Sequence, residues 1–384
     1  MQFPNFHCIT FKFFQNNEIV ITILFTDALN SFLTIPSTLL QCLRYYISPE
    51  GAEMLQRFRN YCESVNISRL ILIGHSYNYF ASLIPYYYIN SSIDASVLQV
   101  KQVKPRECLI FEPDEFITYC HPYKFDENSL FIFVTRTGSI QINKGIEKLR
   151  KYDVDIRKIA LVSNNDNLKP LAHFFFPIFC GDEIVIGSNS FPADILVLYF
   201  ITRAFMNQEI ISKTIEDEIR QMIFEIKFYQ QDWEFHVSSL NDFLGVDYDF
   251  LYFISKGTSL STAYQGALNC KAYLRLFGEG ISFGLFLHGP FQIIDNSFRC
   301  ILLVSDETSI EDTVNLINLA SKKLGSGRII LINNNRSLSS LGRANKNVWV
   351  FEHTTQNPFL APIFEMVVLN YLFLDQALRR GVIQ

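Results

Sequence analysis

The sequence lacks any run of lysine or arginine and carries no excess of positive charge. Its 33 Lys and Arg residues stand against 38 Asp and Glu residues, which gives a formal net charge of -5. A protein that holds nucleic acid needs a basic field around the phosphate backbone. The sequence therefore argues against a nucleic-acid partner.

Closely spaced cysteines are also absent. The eight cysteines lie far apart in the chain, and no two of them form a CxxC pair. Such pairs are typical of zinc sites, and dense cysteines are typical of disulfide-stapled secreted domains. We therefore expect reduced thiols, no metal, no cofactor and a cytoplasmic protein.

The chain has no apolar run of about 20 residues, the length that a membrane helix needs. Its first residues, Met1–Thr10, lack the charged region that begins a secretory signal. We expect no membrane partner. Hydrophobic residues make up 49% of the 384 and charged residues 18%, which is typical of a folded protein. At roughly 150 residues per domain, the chain is long enough for two domains.

The segment Leu130–Gln141 (LFIFVTRTGSIQ) changes character within a single turn. The apolar part is typical of a strand that is buried on both faces, and apolar residues recur at helical spacing after the polar part. A helix N-terminus offers unpaired N–H groups and partial positive charge, so hydroxyls gathered there indicate a phosphate site. The alternative is a simple helix cap by Thr137 or Ser139.

Short apolar strands alternate with helices along the rest of the chain. This alternation predicts parallel sheets with helices on both faces. We predict helices over 262–276 and 362–378, a strand region flanked by 95–99 and 112–116, and a hairpin within residues 1–25. A strand, a small-residue turn and a helix recur at Gly74 and at Gly257, about 180 residues apart, which indicates an internal duplication.

Four motifs, in order along the chain, resemble those of the sugar-isomerase (SIS) domain superfamily. They are IGHSYNYFA, similar to its GSGSSY motif; VTRTGSIQ, similar to its SQSGET phosphate loop; STAYQGALNCKAY, similar to its PTALEGALKLKEI helix; and HGPFQIID. The resemblance covers about Asp27 to Gly381. It is to the tandem arrangement found in the isomerase half of glucosamine-6-phosphate synthase and in the fructosamine-6-phosphate deglycases.

This resemblance implies an α/β fold of two αβα sandwich domains, each with a five-stranded parallel sheet. It implies an N-terminal extension over 1–25, a first domain over 26–212, a helical connector over 213–232 and a second domain over 233–384. It also implies a homodimer and a sugar-phosphate ligand. The implied phosphate-binding residues are Asn78, Thr135, Arg136, Thr137, Gly138 and Ser188.

The chain departs from the family where the chemistry takes place. The family's catalytic Glu is Ala272 here, and two other polar positions of the same helix are Gln265 and Asn269. We expect these two amides to lie on the same helical face as position 272. The histidine of the HGP motif remains as His288. Arg136 replaces the Gln of the family's phosphate loop, and it either binds the phosphate or points to solvent.

Two hypotheses follow. The first is a phosphosugar-binding protein that has lost its catalytic base, because general-base catalysis typically contributes about 10²–10⁴-fold and a methyl group cannot supply it. The second is an active isomerase or deglycase that uses Glu279 and His288. We expect Glu279 near the end of the helix that carries Ala272, where it is either a substitute base or an exposed turn residue.

Overall fold

The computed structural model describes residues 25–92, 105–121, 127–323 and 325–383. The hairpin predicted within residues 1–25 and the strand-flanking segment 95–99 lie outside these residues, apart from Phe25, which begins the first helix. The strands of the first sheet are β1 (Arg69–Gly74), β2 (Glu107–Phe111), β3 (Ser129–Val134), β4 (Ile159–Ser163) and β5 (Phe174–Pro177). Those of the second are β6 (Phe250–Ser255), β7 (Phe277–Ser282), β8 (Arg299–Val304), β9 (Arg328–Asn333) and β10 (Val348–Glu352).

Helices connect and cover these strands. Before and around the first sheet they are α1 (Phe25–Leu33), α2 (Ile35–Ile47), α3 (Pro49–Ser64), α4 (Tyr77–Ser91), α5 (Pro113–Tyr119), α6 (Ile140–Lys151) and α7 (Ser190–Phe205). After it follow α8 (Lys213–Gln231), α9 (Trp233–Leu244), α10 (Leu260–Asn269), α11 (Phe283–Leu287), α12 (Ile310–Ala320), α13 (Ser339–Ala344) and α14 (Ala361–Arg379). A π-helical turn, Cys270–Leu274, continues α10.

The two sheets have the same topology. The first has the strand order β2-β1-β3-β4-β5, and the second, read in the matching direction, has β7-β6-β8-β9-β10. Every strand pair is parallel. This confirms the predicted α/β fold with two five-stranded parallel sheets. In such sheets ligands bind at the carboxyl ends of the strands where the order reverses, which is between β1 and β3 and between β6 and β8.

The apolar core is continuous between the two sheets. One buried cluster contains Leu130 of β3 and Phe253 of β6, together with most of α14. The helix predicted over 362–378 is present as α14, most of its residues are buried, and the burial is supplied within one chain. Among the described residues, α14 is the one helix long and apolar enough to cross a membrane, but 89% of its apolar window is buried, as in a core helix of a folded domain.

The strand β2 ends at Phe111, directly before the flanking segment 112–116, as predicted, and Pro113 begins a helix within that segment. Two predicted elements differ from the structure. The helix predicted over 262–276 leaves α-geometry after Asn269. Glu279 lies in β7, an edge strand, and the prediction that it sits near the end of that helix is wrong.

Gly51 sits where α2 and α3 meet without room for a side chain. A Cβ there would lie 2.3 Å from the Tyr45 carbonyl oxygen and 2.8 Å from the Tyr46 Cα. We expect Gly51→Ala to lower the free energy of unfolding by about 1–3 kcal/mol, because backbone atoms must move. Gly284→Ala is the matched control, since nothing lies within 4 Å of its Cβ position. Equal denaturant midpoints for the two variants would contradict this prediction.

Candidate functional site

The predicted phosphate loop lies at the carboxyl end of β3, at the point where the strand order of the first sheet reverses. The Thr135 N–H donates to the Val162 carbonyl at 2.9 Å, and the Thr135 hydroxyl accepts from the Gly138 N–H at 3.1 Å. Gly138 has a φ of 86°, which favours glycine. Ser139 caps α6 by accepting from the Ile142 N–H at 3.2 Å. The loop is therefore a tight turn whose outer residue, Thr137, is exposed.

Arg136 is directed toward the loop that precedes α7, and its binding of phosphate stays a prediction. Its Nε lies 3.7 Å from Glu183 Oε2, its Nη1 donates to the Gly181 carbonyl at 3.5 Å, and the side chain is 25% exposed. The guanidinium thus connects the phosphate loop to the loop that precedes α7.

Glu183 is the central residue of that second loop, and sequence reasoning missed it. Its carboxylate accepts from the N–H groups of Asn189 and Ser190, both at 2.6 Å, and from the Ser190 hydroxyl at 2.7 Å. The Gly187 N–H points at it as well, at 3.4 Å. The carboxylate occupies the anion site at the N-terminus of α7. The usable signal was an acidic residue shortly before a glycine and serine run that opens a helix.

The side chain of Asn78 is hydrogen-bonded to a buried acid. Its Nδ2 donates to Asp194 Oδ2 at 2.6 Å, and both residues are buried. Burial raises the pKa of the Asp194 carboxyl well above its usual value, the Asn78 amide opposes this, and the nearby Glu183 carboxylate adds to the increase. Asp194 Oδ1 has no hydrogen-bond partner among the described residues.

Ser188 is hydrogen-bonded to a side chain of α1. Its hydroxyl lies 2.7 Å from that of Ser31 in α1, and its side chain is buried. Of the six residues that the resemblance assigned to the phosphate, Thr135, Arg136, Thr137 and Gly138 therefore lie together, whereas Asn78 and Ser188 bond to other side chains.

The helix that the family uses for catalysis carries amides that are paired with each other. Gln265 Nε2 donates to Asn269 Oδ1 at 2.7 Å, and Asn269 Nδ2 donates to Asn370 at 3.3 Å. Both amides are buried, whereas Ala272 is exposed on the π-helical turn. The π-helical turn changes the helical spacing beyond Asn269, between these amides and position 272.

Glu279 points away from the helix that leads into Ala272. Gly278 and Gly280 face α10, since a Cβ on them would lie 3.0 Å from the Ala267 carbonyl oxygen and 2.8 Å from that of Ala263. Alternate residues of a strand point to opposite faces, so Glu279 points away from α10. Burial, followed by the charge and hydrogen bond of Glu279, raises the pKa of Tyr252 to about 12. His288 follows α11 and is exposed.

The second domain has a buried acid at the position that corresponds to Asp194 in the first domain. Asp194 is the fifth residue of α7, and Glu365 is the fifth residue of α14. Glu365 Oε1 accepts from the Ser259 hydroxyl at 2.7 Å and from the Ser305 hydroxyl at 2.5 Å. His353 Nε2 lies 3.1 Å from Ser305, and burial lowers the pKa of His353 to about 3. Glu365 therefore connects the residues that follow β6 and β8, at the carboxyl ends of these strands.

Metal-binding clusters are absent from the part of the chain that the structure describes, and its cysteines are free thiols. Cys8 lies outside that part.

No protein-family model matches the chain. It is 21% identical over 355 residues to an isomerizing glutamine–fructose-6-phosphate aminotransferase of Zymomonas mobilis, which covers 90% of this chain and 55% of that protein. The corresponding protein of Brucella melitensis is 26% identical over 225 residues, covering 56% of this chain and 36% of that protein. The chain thus spans about half the length, or less, of these curated relatives.

Solved structures of the same architecture cover nearly the whole chain. The C-terminal domain of the glucosamine-fructose-6-phosphate aminotransferase of Francisella tularensis superposes with a TM-score of 0.71 at 16% identity, over 93% of this chain and 96% of that one. The chain has the fold of two SIS domains. It resembles the isomerase half of these aminotransferases. Tagatose-6-phosphate ketose/aldose isomerase of Escherichia coli has the same SIS fold, with a TM-score of 0.70 at 14% identity over 92% of each chain.

Proposed function

We propose that this SIS-domain protein is a cytoplasmic sugar-phosphate-binding protein that does not isomerise its ligand. The observation that carries the proposal is the loop Thr135–Gly138. It follows β3 at the reversal of strand order, turns sharply through Gly138 and leads into the 12-residue helix α6. A hydroxyl and backbone N–H groups at a helix start suit a phosphate dianion. Relatives named for fructose-6-phosphate support the same ligand class.

The absence of catalysis rests on Ala272 and its surroundings. Ala272 stands where the family keeps its base, and the nearby amides of Gln265 and Asn269 bond to each other. The alternative, an enzyme that uses Glu279 and His288, requires Glu279 to reach the same side of the sheet as Ala272. The strand geometry places Glu279 on the opposite face from α10, which disfavours that alternative.

The test of the binding proposal is Thr137→Val. We expect the substitution to weaken the binding of fructose 6-phosphate or glucosamine 6-phosphate by about 1.5–3 kcal/mol, because a charged phosphate oxygen loses a hydroxyl donor. Isothermal calorimetry measures the affinity. Thr308→Val is the matched control, since Thr308 is also exposed and follows the corresponding strand β8 in the second domain. Equal affinity in the wild type and Thr137→Val removes this loop from the site.

The wild type should convert neither ligand. A coupled assay that detects turnover abolished by Glu279→Gln would replace the binding proposal with the enzymatic one.

We further propose a homodimer. The side chains of Phe277 in the edge strand β7, Leu285 in α11 and Ile293 in the turn after it are 61%, 62% and 50% exposed. Exposed apolar side chains on and after an edge strand are typical of an interface. Light scattering should show a dimer at micromolar concentration, and Leu285→Glu should shift it toward monomer. A wild-type monomer would contradict this.

A further inference from the structure

Three exposed phenylalanines lie where α8 ends and α9 begins: Phe224, Phe228 and Phe235, which we call the Phe patch. These residues are 62%, 58% and 77% exposed. Phe224 and Phe228 are four positions apart in α8 and therefore lie on one face of that helix. Exposed aromatic side chains grouped in this way are typical of a surface that another segment covers.

Phe235, in α9, faces the same side as Phe228. The ring of Tyr229 stacks on that of His236, with centroids 4.9 Å apart and an interplanar angle of 10°. Phe228 and Phe235 each precede one member of this stacked pair by one position, which is a rotation of about 100° in a helix. The Phe235 ring also contacts the His236 ring, at 5.8 Å between centroids. The Phe patch is therefore continuous across the junction of the two helices.

The helix α1 lies against the same junction. The ring of Phe25, its first residue, is 6.4 Å from that of Trp233, the first residue of α9. Near the other end of α1, the Phe32 carbonyl accepts from Gln230 Nε2 at 2.8 Å. Residues 1–24 therefore join the described fold within one turn of the Phe patch. At about 3.3 Å per extended residue they have ample length to cover it.

The sequence of residues 1–24 is apolar and alternating. With histidine taken as neutral, its charged side chains are only Lys12 and Glu18. In the hairpin predicted there, a three-residue turn at 15–17 brings the odd-numbered positions of both strands to one face. Those positions are all apolar: Ile9, Phe11, Phe13, Ile19, Ile21 and Ile23. A two-stranded hairpin is only marginally stable alone in water, so such a face needs an apolar surface to pack on.

We propose that this apolar face packs on the Phe patch, so that residues 1–24 cover the junction of α8 and α9 in their own chain. A segment attached beside a surface acts on it at an effective concentration of about a millimolar, far above that of a second copy in solution. Exposed neighbours of the patch carry both signs of charge, Lys227 and Glu234, so neither Lys12 nor Glu18 meets a field of one sign. The inference is independent of the proposed sugar-phosphate site.

Urea unfolding of the full chain tests the contact. Phe228→Ser should raise the equilibrium constant of unfolding about tenfold if its ring is covered, whereas a ring that faces water changes it within about twofold. Phe11→Ser should have an effect of similar size, and the double variant should lose less than the sum of the two. The matched controls are Tyr119→Ser, at a 76% exposed aromatic residue of α5, and Phe14→Ser, on the other face of the predicted hairpin.

Crosslinking locates the segment while all three phenylalanines stay in place. Gln231→Cys puts a thiol at an exposed position between Phe228 and Phe235 in the chain, and a short bismaleimide should join it to Cys8. Lys144→Cys, at an exposed position of α6, is the matched control and should give no such product. Peptide mass mapping identifies the joined thiols, and a denaturing gel separates products within one chain from products between chains.

The inference is overturned if Phe228→Ser leaves the unfolding constant unchanged, or if the effects of Phe228→Ser and Phe11→Ser simply add. It is also overturned if Cys8 is not joined to the thiol of Gln231→Cys. A product between chains, or an effect of Phe228→Ser that varies with protein concentration, would assign the Phe patch to a second copy and overturn it as well.

Discussion

Glu183→Ala should lower the free energy of unfolding by about 3–5 kcal/mol, as expected when one partner of a buried, charged hydrogen-bond network is removed. The carboxylate accepts from two N–H groups and one hydroxyl at 2.6–2.7 Å, and its side chain is only 2% exposed. Without it, the first N–H groups of α7 lose their acceptor and Arg136 loses its counter-charge. Chemical denaturation of both proteins measures the difference.

Adding inorganic phosphate tests whether the loss of stability arises at the anion site at the N-terminus of α7. If the loss arises at the N-terminus of α7, phosphate should stabilise Glu183→Ala more than it stabilises the wild type, because the anion takes the vacant place of the carboxylate. Asp182→Ala, at an exposed carboxylate one position earlier, is the matched control and should stay within about 0.5 kcal/mol of the wild type. A loss of stability that phosphate does not reverse would show that the carboxylate acts by packing alone.

The fold was predictable because its strands carry a strong signal. The segment Leu130–Val134 has five apolar residues in sequence, and all of β3 is buried. The missed strand β7 has the sequence FGEGIS, which is typical of a turn. Its glycines are there because α10 packs so closely that a Cβ on Gly280 would lie 2.8 Å from the Ala263 carbonyl oxygen. Because the helix packs so closely, β7 has glycines in place of the β-branched and aromatic residues by which a strand is recognised in a sequence.

Only those features of the candidate site that depend on residues close together in the sequence were predictable. The turn around Gly138 follows from neighbouring residues, and the structure places it at the end of a strand as expected. The partners of Asn78 and Ser188 do not follow in this way, because they lie 116 and 157 positions away in the chain. A polar residue near a predicted site contacts either a ligand or a distant side chain, and only the three-dimensional arrangement distinguishes these two cases.

The duplication places a buried acid at the same position of α7 and α14, and each acid has one oxygen without a partner among the described residues. Burial raises the pKa of both Asp194 and Glu365, because a low-dielectric interior disfavours the charged form. Glu365 receives hydrogen bonds from two serines, whereas Asp194 receives one from Asn78. Asp194 is therefore the less well stabilised carboxylate.

Asp194→Asn should raise the stability of the protein at about pH 8 by about 1–3 kcal/mol, since the substitution removes a buried charge with an unpaired oxygen. The raised pKa fixes the sign of the pH dependence. The stability contributed by protonated Asp194 is fully present below the pKa of the unfolded chain and is lost as the pH rises through the pKa of the folded state. The new amide oxygen still accepts from Asn78 Nδ2 and does not titrate.

The advantage of Asp194→Asn over the wild type should therefore shrink as the pH falls through the raised pKa of the folded Asp194 carboxyl, because the wild-type group then becomes protonated. Glu365 titrates in both proteins, so its contribution cancels when their free energies of unfolding are subtracted. Urea unfolding at several pH values measures this difference in stability, and Asp182→Asn, at an exposed carboxylate of the neighbouring loop, is the matched control. An Asp194→Asn variant that is less stable than the wild type at every pH would mean that Asp194 is held ionised by Asn78.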